Sequence, residues 1–540
     1  MMSFQDCHEE KIHIPGKIQD FGYLIVLDKR KKTIKYYSEN IISLFKIGED
    51  ESLLNADIEI FYDLFSPILN SKIFYSYILK LEDGFKNIEK IKIFGLNYYL
   101  VLYTYQDLLF LELEKCVENI TSKKNFIHFG EIIEINKSSD IWENLVKNIA
   151  NLIDFDRVMV YQFLEDESGK VIAEFKNEKL ESFLGLHYPE NDIPRQARAL
   201  YLINKKRILS NANSNPVNVV GVSHELDLTF SNIRAMSPIH CEYVRNSGVS
   251  SSFSISIIVN NKLWGLVTCH NTVHKHIDLG IRRKAEILTI LAANSYMNFI
   301  FENQIEEQKR AEEKISVISE IVEKNSLSYL FENHIETLKN IVDSDGLVIY
   351  HKNQIYTYGE VPSLAVIQNI KSWTDTHLTE SVFVSNDFLR TNGVELSLDN
   401  SSAGILVSNF NQCEKNKMVW FRKEFSQEIN WAGNPQKNHF IDQDNITKVS
   451  PRKSFELFKE TSKGTSIFWT NDEVEMIKKL TRKFLNLSAE NELLKTIKEN
   501  NKNMNDFLSN LENIMDNDTL KNNEMLKLEI QKIKNLMNEH

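Results

Sequence analysis

Short, mostly apolar runs span residues 23–27 and 33–37, on either side of a charged turn at 28–32, and two longer ones span 98–104 and 108–114. Short apolar runs bounded by turn residues predict strands. Helical pieces are expected near 41–47 and 60–64, so this part reads as a small mixed unit, a sheet with helices on one side. A second unit opens near Ser139. Ile141, Leu145, Ile149 and Leu152 fall at helical spacing, and strands are expected over 157–163 and 171–175. A hairpin over 252–259 and 263–270 turns at Asn260-Asn261-Lys262. The asparagine-rich stretch 211–218 reads as a long surface excursion, and such a loop in a compact domain usually carries function.

From Leu279 to about Asn325 the chain has almost no Gly or Pro and keeps a helical period through Leu288, Leu291, Tyr296, Ile300, Ile305, Ile315, Ile318 and Val322. One domain cannot bury a helix of that length, so it is expected to link two domains and to pair with a copy of itself. A third unit spans about 328–485 and carries an excursion between Trp420 and Phe455. The tail from 487 is helical, with Leu487, Leu494, Leu508 and Met515 at heptad spacing and Asn501 in the same seam. The expected fold class is α+β: three mixed α/β-sheet domains joined by long helices, ending in a helical coiled-coil tail.

The 540 residues carry a net charge of −12, which argues against a broad nucleic-acid surface. No charged-then-apolar leader opens the chain and no apolar run is long enough to span a bilayer, so a cytoplasmic protein is expected. Five scattered cysteines, Cys7, Cys116, Cys241, Cys269 and Cys413, give no disulfide framework and fit a reducing compartment.

The run from Tyr188 to Tyr201, YPENDIPRQARALY, narrows the function most. A residue before proline is pushed out of helical geometry, so Ile193 should be extended and a helix should begin just after Pro194. The run resembles the chromophore motif of phytochromes, red-light receptors that hold a linear tetrapyrrole. Five further segments resemble the same family in order. Cys7 precedes Ile12-His13-Ile14-Pro15-Gly16, similar to the attachment segment of bacteriophytochromes. IRAMSPIHCEYVRNSGV (233–249) and LWGLVTCHN (263–271) resemble elements of the chromophore-binding GAF domain. Trp431-Ala432-Gly433-Asn434-Pro435 and Ser450-Pro451-Arg452-Lys453-Ser454-Phe455 resemble the two signatures of the PHY-domain tongue. The chain is identified on these residues as a member of the family. The implied division is an attachment segment with a PAS domain (1–118), a GAF domain (119–305), a PHY domain (306–486) with its tongue at about 420–456, and a helical tail (487–540).

The resemblance implies biliverdin joined by a thioether to Cys7. Members with a reduced bilin carry the cysteine immediately before the pocket histidine, and here that position is Ile239. The main-chain carbonyl of Asp192, beside Ile193 and Pro194, would accept pyrrole N–H groups, and His240 would help keep the four nitrogens protonated. Arg207, Arg234, Tyr201, Ser237, Ser252 and Ser254 match the propionate-binding positions; arginine suits a carboxylate because its planar fork can bind both oxygens. His270 matches the partner of the D-ring carbonyl, and Met159, Tyr161, Tyr188 and Tyr243 match the walls around that ring. In the tongue, Trp431 and Gly433 match its first signature, while Arg452 would pair with Asp192 at rest and Ser454 would take over after switching. The N-terminal segment would thread the GAF excursion. One departure is Asp20-Phe21-Gly22, where the family commonly has a proline-histidine pair before the glycine.

Blander readings stand beside these. Cys7, His8 and His13 could form a metal site or a plain tail, but no second cluster at zinc spacing exists and no metal is expected. Cys241 and Cys269 read as small buried residues. A pigment-free GAF sensor is one alternative function. Another is the sensory part of a light-regulated histidine kinase. The tail shows no phosphoacceptor-histidine helix followed by a Gly-rich nucleotide-binding domain, so no catalysis by this chain is expected. The expected partners are a bilin and a second copy of the chain.

Overall fold

Apolar strands in the N-terminal 115 residues build the first sheet of the computed structural model. The residues described are 10–48, 52–58, 80, 82–117, 138–223, 225–391, 403–411, 415–425, 427–434, 439–441, 447–449, 457–462, 464–515, 525, 528–529 and 531–533. They fall into two compact units, Met1–Glu302 with Glu428–Glu460, and Asn303–Gln427 with Thr461–His540. Cys7, Arg452, Ser454 and the helical piece expected at 60–64 lie outside the described residues.

In the first unit, strands β1 (Lys17–Ile18), β2 (Gly22–Asp28), β3 (Ile34–Ser38), β4 (Asn87–Ile93), β5 (Leu96–Tyr105) and β6 (Leu108–Lys115) join one seven-stranded sheet. Its faces are both buried. Ile25, Leu27, Leu100, Leu102 and Leu111 pack on one side; Leu24, Val26, Tyr99, Val101, Tyr103 and Phe110 pack on the other. Leu226, Leu228 and Ile233 cover the second side, which explains why these strands are apolar on both faces.

The seventh strand of that sheet comes from far along the chain. After β7 (Arg157–Phe163), β8 (Gly169–Lys176), β9 (His187–Tyr188) and β10 (Lys206–Leu209), strand β11 (Val217–Gly221) leaves the second domain and inserts between β1 and β3. The stretch 211–218, expected as a surface loop, therefore leads into a strand: Val217, Val219 and Val220 supply apolar residues where the asparagines end. Segment 13–19 lies between two limbs of this excursion. It pairs with Val217 and Asn218 on one side and exchanges backbone hydrogen bonds with Leu228, Ile233 and Ala235 on the other. Gly22 is required at this crossing, because a Cβ there would meet Ile233 Cγ2 at 2.6 Å. Phe21, in the departing Asp20-Phe21-Gly22, packs on the His276 ring at 4.6 Å and takes no part in the cavity described below.

Strands β12 (Ser251–Val259) and β13 (Lys262–Asn271) complete the second sheet, in the order β10-β12-β13-β7-β8-β9. Alternation divides its faces. Val158, Val160, Ala173, Ile208, Phe253, Ile255, Val267 and Cys269 point toward the helix Ser138–Ile153 and toward Ala285, Leu288 and Ala292 of the helix Leu279–Lys324. Their odd-even partners Met159, Tyr161, Arg207, Ser252, Ser254, Leu266, Thr268 and His270 face away from that core, into a cavity. The N-terminal sheet is clamped to this domain by Glu114, which pairs with Arg282 and His276, all buried or nearly so.

In the second unit, β14 (Gly346–His351), β15 (Gln354–Gly359), β16 (Val382–Ser385), β17 (Gly404–Asn411) and β18 (Asn416–Arg422) form an antiparallel sheet in the order β15-β14-β18-β17-β16. Trp420, expected to open the excursion, instead sits in this core and donates from Nε1 to the Leu338 carbonyl at 3.0 Å. The helix Asn471–Met515 packs Ile477, Leu480 and Phe484 on the same face. Along its exposed later turns Leu494, Ile497 and Met504 are open, whereas Leu508 is buried within the chain itself. Leu508 is thus not available to a partner's seam as its heptad position suggested.

The excursion contributes β19 (Gln427–Ala432), β20 (His439–Ile441), β21 (Thr447–Val449) and β22 (Leu457–Ser462). Trp431 of β19 lies in parallel register with His187 of β9, so this segment extends the second sheet within the first unit.

Candidate functional site

The cavity on the open face of the second sheet has a volume of about 290 Å³. Strand register builds its floor. Arg207 stands opposite Ser254, Ser254 opposite Thr268, and Thr268 opposite Met159, so one row across four strands presents a guanidinium, two hydroxyls and a thioether. The next row brings Ser252 opposite His270. Tyr161 and Tyr188 make an edge-to-face wall, ring centroids 5.8 Å apart, with Met159 and Ala432 packed on them.

The proline run behaves as its sequence requires. Glu190–Asp192 form a short 3-10 turn, Ile193 is extended (φ −131°), and the helix Arg195–Ile203 begins after Pro194. Arg198 locks the turn: Nε donates to the Ile193 carbonyl at 2.7 Å and a terminal nitrogen donates to the Glu167 carbonyl at 2.7 Å. Tyr201, on the same helix, is anchored through its carbonyl by Ser256 Oγ at 2.7 Å and points its ring into the cavity.

The helix Pro238–Asn246 supplies another wall. Ile239, His240 and Tyr243 line the cavity, His240 lying parallel to Tyr243 at 6.3 Å. Tyr243 OH donates to Asp192 Oδ2 at 3.2 Å. Cys241 turns away and packs with Leu209, Ala212 and Val244. Cys116, Cys241 and Cys269 are all free thiols.

The electrostatics are unusual. Arg207 and Arg234 are both buried. Arg207 donates to the carbonyls of Arg234 (2.8 Å) and Ala235 (3.0 Å), and no acidic side chain pairs with either guanidinium among the described residues. Arg207 Nη1 and Arg234 Nε are buried without a hydrogen-bond partner. Burial first, then mutual repulsion, pushes Arg207 well below the usual guanidinium range; burial pushes Arg234 down to about 10. Desolvation, helped by Arg207, pushes His240 down to about 4. Desolvation, then Arg157 and His240, pushes His270 down to about 3. Both imidazoles are therefore neutral at physiological pH, each with one donor and one acceptor nitrogen. Orphaned N–H groups on two adjacent buried cations are costly without an acceptor. They fit a ligand that brings carboxylates into an otherwise apolar, aromatic-walled slot.

Every expected contact residue within the described segments lines this one cavity: Met159, Tyr161, Tyr188, Asp192, Ile193, Pro194, Tyr201, Arg207, Arg234, Ser237, His240, Tyr243, Ser252, Ser254 and His270. Trp431 lies outside it, edge-on to His187 at 5.7 Å, with Nε1 donating to Glu460 at 2.7 Å. Gly433 has φ +90°, a left-handed conformation suited to glycine, and delivers Asn434 to the cavity rim. Sequence reasoning missed Glu10, Thr268 and Asn434 as lining residues and Arg198 as the lock on the turn. Thr268 was findable, two places before His270 on one strand face. Glu10 carries no periodic signal. Among the described residues no cluster of His, Cys, Asp or Glu could hold a metal ion, and no helix is long and apolar enough to cross a membrane.

Comparison with known proteins agrees with this architecture. Residues 7–116 match the PAS fold, 139–294 the GAF domain and 309–493 the phytochrome region. Cyanobacterial phytochrome B of Nostoc is 31% identical over 494 residues, covering 88% of this chain and 64% of that protein. A bacteriophytochrome of Xanthomonas campestris is 32% identical over 354 residues, covering 62% of this chain and 55% of its own. The structure of the Stigmatella aurantiaca phytochrome photosensory core module superposes with a TM-score of 0.73 at 28% identity, covering 91% of this chain and 99% of that one. PAS, GAF and PHY domains in this order define a three-domain sensory module. The chain belongs to the phytochrome family, as a photosensory module of the bacteriophytochrome type. It spans less than two thirds of the length of these two curated relatives.

Proposed function

We propose that this chain is a red/far-red photoreceptor whose cavity holds biliverdin through a thioether to Cys7. The observation that carries this reading is the pair of buried arginines, Arg207 and Arg234, with N–H groups unpaired toward an aromatic-walled cavity. Bound there, a linear tetrapyrrole supplies red-light absorption and a double bond that isomerises. Arg207, Arg234, Tyr201, Ser237, Ser252 and Ser254 hold its two carboxylates. The carbonyl of Asp192 accepts from pyrrole N–H groups, with Ile193 and Pro194 fixing the turn. Neutral His240 offers a hydrogen bond without adding charge to the protonated nitrogens, and neutral His270 donates to the D-ring carbonyl. Met159, Tyr161, Tyr188 and Tyr243 leave that ring bounded but not interlocked.

Signalling runs through the tongue in this reading. Trp431 belongs to its near strand and Gly433 follows the end of that strand, while Arg452 and Ser454 exchange as partners of Asp192 between the two states. Two arrangements of one segment, biased by one pigment, make a population switch. A cytoplasmic homodimer is the proposed setting: Phe301 and Ile305 on the helix Leu279–Lys324 are 63% and 51% exposed, apolar surface suited to a second copy. The chain itself is assigned sensing and no catalysis.

Titrating the apoprotein with biliverdin and with its dimethyl ester tests the assignment. The free dicarboxylate should bind at least about tenfold more tightly, since each charge-assisted contact contributes roughly 1.5–3 kcal/mol. Equal affinity for the two forms would remove the arginines from recognition.

A further inference from the structure

One acid in the cavity has no part in the scheme above. Glu10 lines it beside Ile12, half-buried, and its Oε2 accepts from Ser237 Oγ at 2.7 Å. Ser237 stands at the N-cap of the helix Pro238–Asn246, where a serine oxygen ordinarily accepts from a backbone N–H of the first turn. It makes no such bond, and its hydroxyl is turned to Glu10 instead. A hydroxyl has one proton, so it donates to one acceptor at a time.

The same hydroxyl is among the groups assigned above to a pigment carboxylate. Arg207 is fixed close by, on the carbonyls of Arg234 and Ala235, so a carboxylate that reaches Arg207 and Ser237 together arrives beside Glu10. Two carboxylates at one donor repel, and no lysine or arginine among the described residues forms an ion pair with Glu10. Retreat is restricted. The N–H of Ile12 donates to the Glu10 carbonyl and the N–H of Leu228 to the His13 carbonyl, each at 2.8 Å, which pins the segment carrying the acid.

We propose that Glu10 competes with a pigment carboxylate for the Ser237 hydroxyl and gains a proton when the pigment binds. The protonated acid carries no charge and can itself donate to the incoming carboxylate, which turns a repulsive pair into a hydrogen-bonded one. Capture of a dicarboxylate is thereby coupled to pH through one residue. The inference rests on the reading that Arg207, Arg234 and Ser237 hold the carboxylates of the pigment.

Burial, opposed by the Ser237 hydrogen bond, already raises the Glu10 carboxyl, which favours that proton. The charged and titratable groups around it are Lys11 and His13 in its own segment, Asp192 on the turn, Tyr201 on the helix Arg195–Ile203, Arg207 on β10, Arg234 ahead of the helix Pro238–Asn246, His240, Cys241 and Tyr243 on that helix, and His270 on β13. The guanidiniums keep their protons. His240 and His270 gain theirs only at about 4 and about 3, and burial raises the Cys241 thiol and the Tyr201 hydroxyl. Asp192 accepts from Tyr243. Replacing Glu10 leaves His13 in place, so any titration of that ring is common to both proteins compared below.

The test mixes the full chain with biliverdin near neutral pH, in weak buffer with a pH-indicator dye, and repeats the mixing with the dimethyl ester. Wild type should take up close to one more proton per biliverdin bound than Glu10→Gln. The glutamine keeps an oxygen for Ser237 but no charge, so the variant should bind biliverdin at least about fivefold more tightly. It should also lose most of the affinity that wild type gains on mild acidification. The ester brings no negative charge, so the two proteins should match in its affinity and proton uptake, a match that also shows the variant's cavity to be intact. Equal proton uptake and equal biliverdin affinity in the two proteins, with the free acid still preferred to the ester, overturns the role of Glu10 alone. Equal affinity of wild type for acid and ester overturns instead the arginine reading on which it rests.

Discussion

The hydroxyl of Tyr243 donates to Asp192 Oδ2 at 3.2 Å, joining the helix Pro238–Asn246 to the proline-fixed turn on the opposite side of the cavity. The contact ties the carboxylate proposed as the tongue's partner to a wall of the cavity. A change in the position of Tyr243 therefore reaches Asp192 through one hydrogen bond. Asp192→Ala and His240→Ala should still bind pigment but convert poorly under red light and bleach at lower pH than wild type. Tyr243→Phe should bind normally and shift only the rate of return to the dark state. Absorption spectra before and after illumination check all three, and wild-type conversion by Asp192→Ala and His240→Ala would remove them from the switch.

Attachment should follow the cysteines' different surroundings. Cys7→Ser should release the pigment on denaturation, whereas Cys241→Ser should not. Cys241 packs with Leu209, Ala212 and Val244 on the far side of the helix from the cavity, and burial raises its thiol, which lowers its reactivity. Release by Cys241→Ser would reverse the assignment.

The two histidines make the stability of the apoprotein sensitive to acid. Unfolded, each imidazole takes a proton near pH 6.5. Folded, His240 stays neutral to about 4 and His270 to about 3. Between those limits the unfolded chain binds more protons, so stability falls as pH falls, by up to about 1.4 kcal/mol per pH unit for each histidine. The loss begins below about 6.5 and ends once the folded-state values are passed. Urea denaturation of His270→Gln at pH 7 and pH 5 should show a smaller difference than wild type. An equal difference would contradict the desolvated state of the ring.

Removing one buried guanidinium should separate stability from binding. Arg207→Met loses two hydrogen bonds to carbonyls but also a buried cation with no acidic partner. Replacing an uncompensated buried charge by an apolar side chain of similar length is often neutral or stabilising. The variant should keep apoprotein stability within about 1 kcal/mol of wild type while its affinity for biliverdin drops roughly tenfold or more. A large loss of stability would mean that the arginine serves the fold instead of the ligand.

The sequence made the cavity legible because its residues come in two readable forms. Period-two strands announce which of Met159, Tyr161, Ser252, Ser254 and His270 share a face, and the proline at 194 announces the turn. Long-range insertions were not legible. Strand β11 follows an asparagine-rich stretch and finds its partners about 180 residues upstream, a pairing that only tertiary burial of Val219 and Val220 decides. Strand β4 was passed over because its polar residues Glu89, Lys90 and Lys92 sit at the sheet edge, where charge is tolerated. Leu508 kept heptad phase in sequence, yet it is buried within its own chain, since periodicity marks a buried face without naming what covers it.

The most direct measurement is the absorption spectrum of the apoprotein during titration with biliverdin, taken in darkness, after saturating red light and after far-red light. The account predicts saturation at one equivalent, a red-absorbing complex, loss of that band under red light and its recovery under far-red. A chain that takes up no saturating equivalent, or whose complex is unchanged by light, would contradict it.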